Sequence, residues 1–190
     1  MVVLSNVKRL SSPDAYFLSL SECKEQLAIM ECDTQWDSLI AGYIAAASRV
    51  IEQRLGQTLM ATQWGGVFDA VHLEAGFYTH LPQQPAVSNT TKHPATVLVD
   101  GVDVGADVSI STFTNSATIE GGITASGEAV LTWYAGALEP WEVDDNLRVA
   151  GKMLVAHFFD HRAAVQDTSA IEIPLGVDSL LAVSSHSGRY

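Results

Sequence analysis

Positive charge is what this sequence has least of. Ten Lys+Arg stand against 22 Asp+Glu, a formal net charge of −12, and charged residues of both signs make up only 17% of the chain. A protein that reads a nucleic-acid sequence needs Lys and Arg to neutralise phosphates, so this balance argues against that class. It leaves room for a protein past which nucleic acid slides. Cysteine is equally sparse. Cys23 and Cys32 supply neither a zinc quartet nor a disulfide framework, and they read as two reduced, partly buried thiols of a protein made in the cytosol. No apolar run reaches the length of a membrane span, and the N-terminal MVVLSNVKRLSSPD is too short and too polar for the apolar core of a signal peptide. The expectation is a soluble, unsecreted protein. Also missing are the Gly-x-Ser-x-Gly elbow, the phosphate-cradling Gly-x-x-x-x-Gly-Lys and the dinucleotide fingerprint, so no enzyme motif is visible.

What is abundant is apolar surface: 47% of the 190 residues are hydrophobic. A chain of this length buries roughly two thirds of the surface its unfolded form exposes, enough for one or two compact domains. With so little charge, part of the apolar excess is expected to face other subunits. The acidity is uneven. Residues 1–60 carry −2, 61–138 carry −6 with Lys92 as their one cation, and 139–190 carry −4.

The first third reads as helical. Ser19 with Glu22 three residues on is a capping box, and Leu20, Cys23, Leu27 and Met30 share a face, predicting a helix over about 20–30. A second helix is predicted over about 34–55. It starts at Asp33/Thr34, repeats Trp36, Leu39, Ile40, Tyr43, Ile44, Ala47, Val50, Ile51 and Leu55 at three- and four-residue spacing, and ends at Gly56 as a C-cap glycine.

The middle third changes its period from 3.6 to 2. Asp100-Gly101 between Val97-Leu98-Val99 and Val102-Asp103-Val104 is a strong hairpin signal, because a type I′ turn needs positive φ at both central residues. Val108, Ile110 and Thr112 alternate, and Ala129–Tyr134 reads as a further strand. Gly65-Gly66 and Gly121-Gly122 read as turns or bulges. The expectation is five or six strands between 62 and 135 in one small, mainly antiparallel unit.

The last third returns to helix. Pro140 suits a first turn, with Glu139, Glu142, Asp144 and Asp145 matched to the positive end of the helix dipole rather than gathered as a cation site. Leu147, Ala150, Gly151, Leu154, Val155, Phe158 and Phe159 then form a stripe predicted to reach about residue 165. Ile173–Val177 begins a short closing element, and Ser184–Tyr190 reads as a flexible tail. The fold class is therefore α+β: a helical bundle of two N-terminal helices and a long C-terminal helix, with an inserted antiparallel β unit. The expected organisation is an N-terminal arm and core helices over 1–60, a β-rich subdomain over 61–138, a C-terminal helix over 139–182 and a tail over 183–190.

Chemistry-bearing residues are few. His157 and His161 lie four apart on one helix face, the spacing of helical metal sites, but no third ligand accompanies them. They are weak metal candidates, and imidazoles favoured at a helix C-terminus are the plainer reading. Trp36, Trp64, Trp133 and Trp141 each sit inside or beside an apolar segment, as core or interface anchors. No catalytic or cofactor-binding residue is assigned, and no cofactor is expected.

Several local signatures then fall in a recognisable order: Leu20, Glu22, Lys24 and Leu27; Leu39-Ile40; Ala46-Ala47; the helix end Ile51–Leu59; Leu81-Pro82-Gln83-Gln84-Pro85-Ala86-Val87; the Asp100-Gly101 hairpin; Thr132–Gly136; Pro140; His157–Arg162; and Pro174–Leu181. In this order, over about residues 18–182, the chain resembles the tailed-phage head–tail connector family, the adaptor or head-completion proteins that sit beneath the portal. The resemblance implies a structural, non-enzymatic virion protein, made in the bacterial host cytoplasm and placed at the head–tail junction. Its implied partners are copies of itself in a ring, commonly twelve-fold, the portal protein, and the next neck or tail protein. Double-stranded DNA passes through such a ring during packaging and ejection, and no membrane is involved. Partner-binding residues are expected in the closing segment: Pro174, Leu175, Gly176, Val177, Leu180 and Leu181, with Arg189 and Tyr190 in the tail. Two other readings remain: another neck component, such as a stopper or tail-completion protein, or a small metal- or ligand-binding module built on His157/His161 or on a pocket in the sheet.

Overall fold

The computed structural model describes residues 2–13, 15–161 and 175–187. The fold is α+β, with five α-helices and two antiparallel sheets among those residues. The chain divides into two compact units, Met1–Ala15 with Gln57–Leu138, and Tyr16–Gly56 with Glu139–Tyr190. None of the described helices is long and apolar enough to cross a membrane.

The first unit is the β unit. Its five-stranded sheet has the order β1-β2-β8-β4-β5, formed by β1 (Ser5–Arg9), β2 (Thr62–Asp69), β8 (Glu128–Ala135), β4 (Thr96–Val99) and β5 (Val102–Asp103). The three-stranded sheet runs β3-β7-β6, from β3 (Phe77–His80), β7 (Ser116–Ile119) and β6 (Val108–Ser111). One short helix, α3 (His72–Ala75), precedes β3. The 62–135 stretch thus holds seven strands rather than five or six, and they divide between two sheets. Strands β3 and β7, at four residues each, carry too few alternations to register as a period.

The N-terminal arm supplies a strand, β1, that the sequence pattern did not announce. A bulge at Asn6, with φ 47°, breaks its alternation. Its partner shows why Gly65-Gly66 are not a turn: both sit inside β2, where a Cβ on Gly65 would come within 2.9 Å of Leu10 Cδ1 and one on Gly66 within 3.0 Å of Leu4 Cβ. The glycines leave room for the arm's leucines. The Asp100-Gly101 hairpin forms as expected, with φ of 51° and 79°. The unit's core is Trp133, Leu131, Val97, Ile119, Leu73 and Leu81, all at most 1% exposed, with Phe68 beside them.

The second unit is helical: α1 (Leu20–Gln26), α2 (Asp37–Leu55), α4 (Asp145–Asp160) and α5 (Leu175–Ser187) pack on one another. The Ser19–Glu22 capping box is present in full. Helix α1 is shorter than its periodicity predicted. It ends at Leu27, the chain turns through Ala28 at φ 54°, and Met30 is 75% exposed. Helix α2 begins at Asp37, because the Asp33 side chain accepts from the Gln35 N–H and caps a turn ahead of it; Gly56 closes it at φ 66°. Pro140 opens a separate 3₁₀ turn, Pro140–Glu142, and α4 starts afterwards, with Asp144 accepting from Asn146 N–H as its N-cap. Helix α5 continues through Ser187, so residues 183–187 are helical rather than tail. Its face is fixed by Val177, Leu181 and Ser184, all buried, with Ser184 Oγ donating to Asp144 at 3.4 Å.

Two polar nodes tie this unit together. Lys24, 3% exposed, pairs with Asp37 at 2.6 Å and donates to the Glu31 carbonyl. Arg148 donates to Glu22, to the Pro140 carbonyl at 2.8 Å and to the Phe17 carbonyl at 3.4 Å, while Lys152 lies 3.5 Å from Glu22. Partial burial alone would raise the Glu22 carboxyl, but the Ser19 N–H and O–H and the Arg148 guanidinium outweigh it and hold the group down at about 2. Burial pushes the Cys23 thiol up to about 11, which keeps it an unreactive core group.

Two outcomes follow for stability. Gly151 faces Phe17, whose Cζ would lie 2.4 Å from an added Cβ. An alanine gains up to about 1 kcal/mol of helix propensity, but overpacking against a fully buried ring costs about 1–3 kcal/mol. Gly151→Ala is therefore expected to lower stability by about 1 kcal/mol in denaturant melts, with Phe17→Leu recovering part of the loss. Because the folded Glu22 value lies below its ordinary 4.5, its contribution is present above that value and is lost as pH falls towards 2. Glu22→Gln should flatten the acid limb of a stability–pH profile; an unchanged limb would place the acid sensitivity elsewhere.

Candidate functional site

The expected partner-binding residues divide by position. Pro174, Arg189 and Tyr190 lie outside the described residues. Leu175 opens α5, and Gly176 beside it is exposed. Val177 is fully buried and Leu181 is 5% exposed, so both pack into the helical unit, while Leu180 is half-buried. Asp178 forms an ion pair with Arg54 at the end of α2. The outward side of α5 carries Val183, 61% exposed.

His157 and His161 do come together, with ring centroids 4.4 Å apart. Helix geometry accounts for this, since residues four apart share a face. His161 Nδ1 lies 2.9 Å from the His157 carbonyl, which draws that ring to the end of α4. No group of three or more His, Cys, Asp or Glu side chains among the described residues is arranged to hold a metal ion. The pair instead sits in an aromatic setting, where Phe159 meets Trp36 edge-on at 5.6 Å and Phe158 meets Tyr43 at 6.0 Å. Burial lowers the His157 pKa, the neighbouring His161 adds to that, and Asp160 opposes it.

Two aromatics are mostly exposed. Trp141, on the 3₁₀ turn, is 75% exposed, unlike the fully buried Trp133. Phe113, 87% exposed, stands at the tip between β6 and β7. The sequence held a signal for it that periodicity does not weigh: Ser111-Thr112-Phe113-Thr114-Asn115 is a polar turn with one aromatic in it. Large aromatics placed in water without a local partner are the residue type from which interface anchors are drawn.

The β unit also has an open groove of about 600 Å³, lined by Val2, Val3, Ser5, Val67, Phe68, Asp69, His72, Gly127 and Glu128. Asp69 and Glu128 are direct cross-strand partners at the end of the β2–β8 ladder. The Asp69 carboxylate caps the next turn by accepting from Val71 N–H at 3.1 Å. No cation pairs with either carboxylate among the described residues. The described surface here is one of apolar projections and acidic recesses.

One pH effect follows. A His157 whose folded pKa is lowered contributes stability above the ordinary histidine value of 6.5, and that contribution is lost as pH falls below it. His157 should titrate below that value in an NMR titration, and His157→Gln should reduce the loss of stability on acidification below 6.5.

No family model and no curated protein matches this chain. Solved structures do. A chain in the neck of an empty gene transfer agent particle, computed with C6 symmetry, superposes with a TM-score of 0.64 at 20% identity over 93% of both chains. A chain in the virion of the native gene transfer agent particle gives 0.63 at 20% identity over 94% of both. One in the neck of the native particle, computed with C12 symmetry, gives 0.63 at 19% identity over 93% of both. Over 93–94% of its length, then, this chain shares its fold with chains solved in the neck and virion of gene transfer agent particles, the kind of structure to which its resemblance to head–tail connectors points.

Proposed function

We propose that this chain is a structural neck protein of a phage-like virion, an adaptor that forms a ring beneath the portal, joins capsid to tail and lets DNA pass. The observation that carries this reading is the fold likeness over 93% of both chains to a neck component, joined to the collinear connector motifs from Leu20 to Leu181. The role is one of assembly rather than catalysis. Sparse charge and exposed aromatics suit subunit contacts, and an acidic ring repels phosphate, so DNA crosses it without being gripped. The protein is made in the host cytoplasm and ends at the head–tail junction, with the portal above it and the next neck or tail protein below.

The segment from Pro174 to Tyr190 is the proposed portal-docking element. In it Val177 and Leu181 act by anchoring α5, and Gly176, Leu180, Arg189 and Tyr190 are the proposed contacts.

Co-expression of the full chain with its portal protein, followed by electron microscopy, tests the proposal. A ring of this chain seated on the portal is expected. Removing residues 188–190 should weaken co-purification with the portal without lowering the melting temperature. Absence of any portal–ring complex would overturn the adaptor reading, and undiminished co-purification of the shortened chain would remove Arg189 and Tyr190 from the contact.

A further inference from the structure

The β unit carries unlike features at its two ends. Strands β2 and β8 run in register from Thr62↔Ala135 to Asp69↔Glu128, seven steps or about 23 Å. At the Asp69/Glu128 end lies the groove, with Val2, Val3 and Phe68 as its apolar lining. Two carboxylates directly opposite each other on neighbouring strands repel, and no cation of this chain offsets them among the described residues. The site is acidic, partly apolar and open.

The other end projects. Asn115 fixes the β6–β7 tip there: its carbonyl accepts from Leu81 N–H and its side-chain oxygen from Ala86 N–H, both at 2.8 Å, and Ala86 bridges to Ala135. Phe113 stands on that tip, 87% exposed. Lys92, exposed and without a partner among the described residues, lies in the loop whose His93 ring meets Tyr134 at 4.8 Å. One end thus offers an aromatic and a cation, and the other a recess with apolar walls and two unpaired anions.

A closed ring is built from heterologous contacts, in which two different patches on each subunit meet head to tail. Two complementary patches at opposite ends of one unit meet that requirement. A two-fold contact built on either patch alone would instead set the acidic groove against itself, or Phe113 and Lys92 against their own copies. We infer that, within the ring proposed above and resting on that reading, the Phe113 tip and Lys92 of one copy enter the Asp69–Glu128 groove of the next. Burial of Phe113 removes apolar area from water, and Lys92 relieves the repulsion between the two carboxylates.

The contact is tested by covalent trapping in the full chain. In a Cys32→Ser background, Phe113→Cys with Glu128→Cys places two thiols far beyond the roughly 7 Å that a disulfide spans within one chain, so a bond reports two copies. Oxidation of portal-bound rings is expected to give a ladder of covalent multimers that stops at the ring size. Separately, Phe113→Ser, Lys92→Glu and Glu128→Lys should each cut the assembled fraction at least tenfold with no change in melting temperature, and the Lys92→Glu/Glu128→Lys double exchange should restore much of it. Rings that form normally in every variant and yield only monomers on oxidation would overturn this contact and leave the adaptor reading standing. Failure of the unaltered chain to form any ring with its portal would overturn both.

Discussion

Arg148 holds the helical unit in one piece, and the arrangement of the chain makes such a tie necessary. The unit is assembled from two stretches, Tyr16–Gly56 and Glu139–Tyr190, with residues Gln57–Leu138 of the β unit inserted between them. The entropic cost of such an insertion grows slowly, about 0.6 kcal/mol for each doubling of loop length. What the insertion demands is an interaction that selects one register between the two stretches. One guanidinium does this by reaching the Phe17 carbonyl and the Glu22 carboxylate from the first stretch, and the Pro140 carbonyl from its own. Its planar fork suits several acceptors at once, which a lysine would not match. The Ser19–Glu22 capping box then has two roles: it starts α1 and fixes the carboxylate that Arg148 needs.

Around that tie the apolar packing is close. Gly151 lets Phe17 and Leu18 lie directly on α4, and Ile40, Ile44, Ala47 and Ile51 give α2 a buried face. In the β unit, Gly136 has the comparable role. At φ 109° it approaches the Met60 backbone so closely that a Cβ would stand 2.5 Å from it. Both units therefore bring chain segments far apart in sequence into contact through a missing side chain, where packing at native density leaves no slack.

The long elements were legible in the sequence and the short ones were not. Helices α2 and α4 announced themselves because each repeats its apolar positions over four turns or more, and Gly56 marks an end in the left-handed region. The Asp100-Gly101 turn was legible because few other residue pairs accept its backbone. Strand β1 was hidden by its bulge, and β3 and β7, at four residues each, were too short to show a period, whereas β6 showed itself through Val108 and Ile110. Helix α5 was half concealed: Ser184, Ser185 and Ser187 have weak helix propensity, and its face is held by the burial of Val177, Leu181 and Ser184, which no local pattern records. For the candidate surfaces, sequence could place Phe113 in a turn. It could not place Asp69 opposite Glu128, since their pairing depends on β2–β8 register across almost sixty residues.

The charge balance also gains a finer meaning from the structure. By count the chain has ten cations, but most of those described are spent internally. Lys24 pairs with Asp37, Arg148 and Lys152 converge on Glu22, Arg54 meets Asp178 and Arg49 meets Glu52. Arg9 donates to Thr62 and Ser11 and lies over the Trp64 ring. Among the described residues this leaves Lys8 and Lys92 as the cations with no partner of their own. Affinity for DNA scales with the number of phosphates that lysines and arginines neutralise, so the capacity to hold DNA is smaller than the composition alone implies. The acidic excess on the same surface opposes what remains. For a ring through which DNA is proposed to pass, that is the required electrostatic condition: cations committed to holding each subunit together, and an outer charge that turns phosphate away.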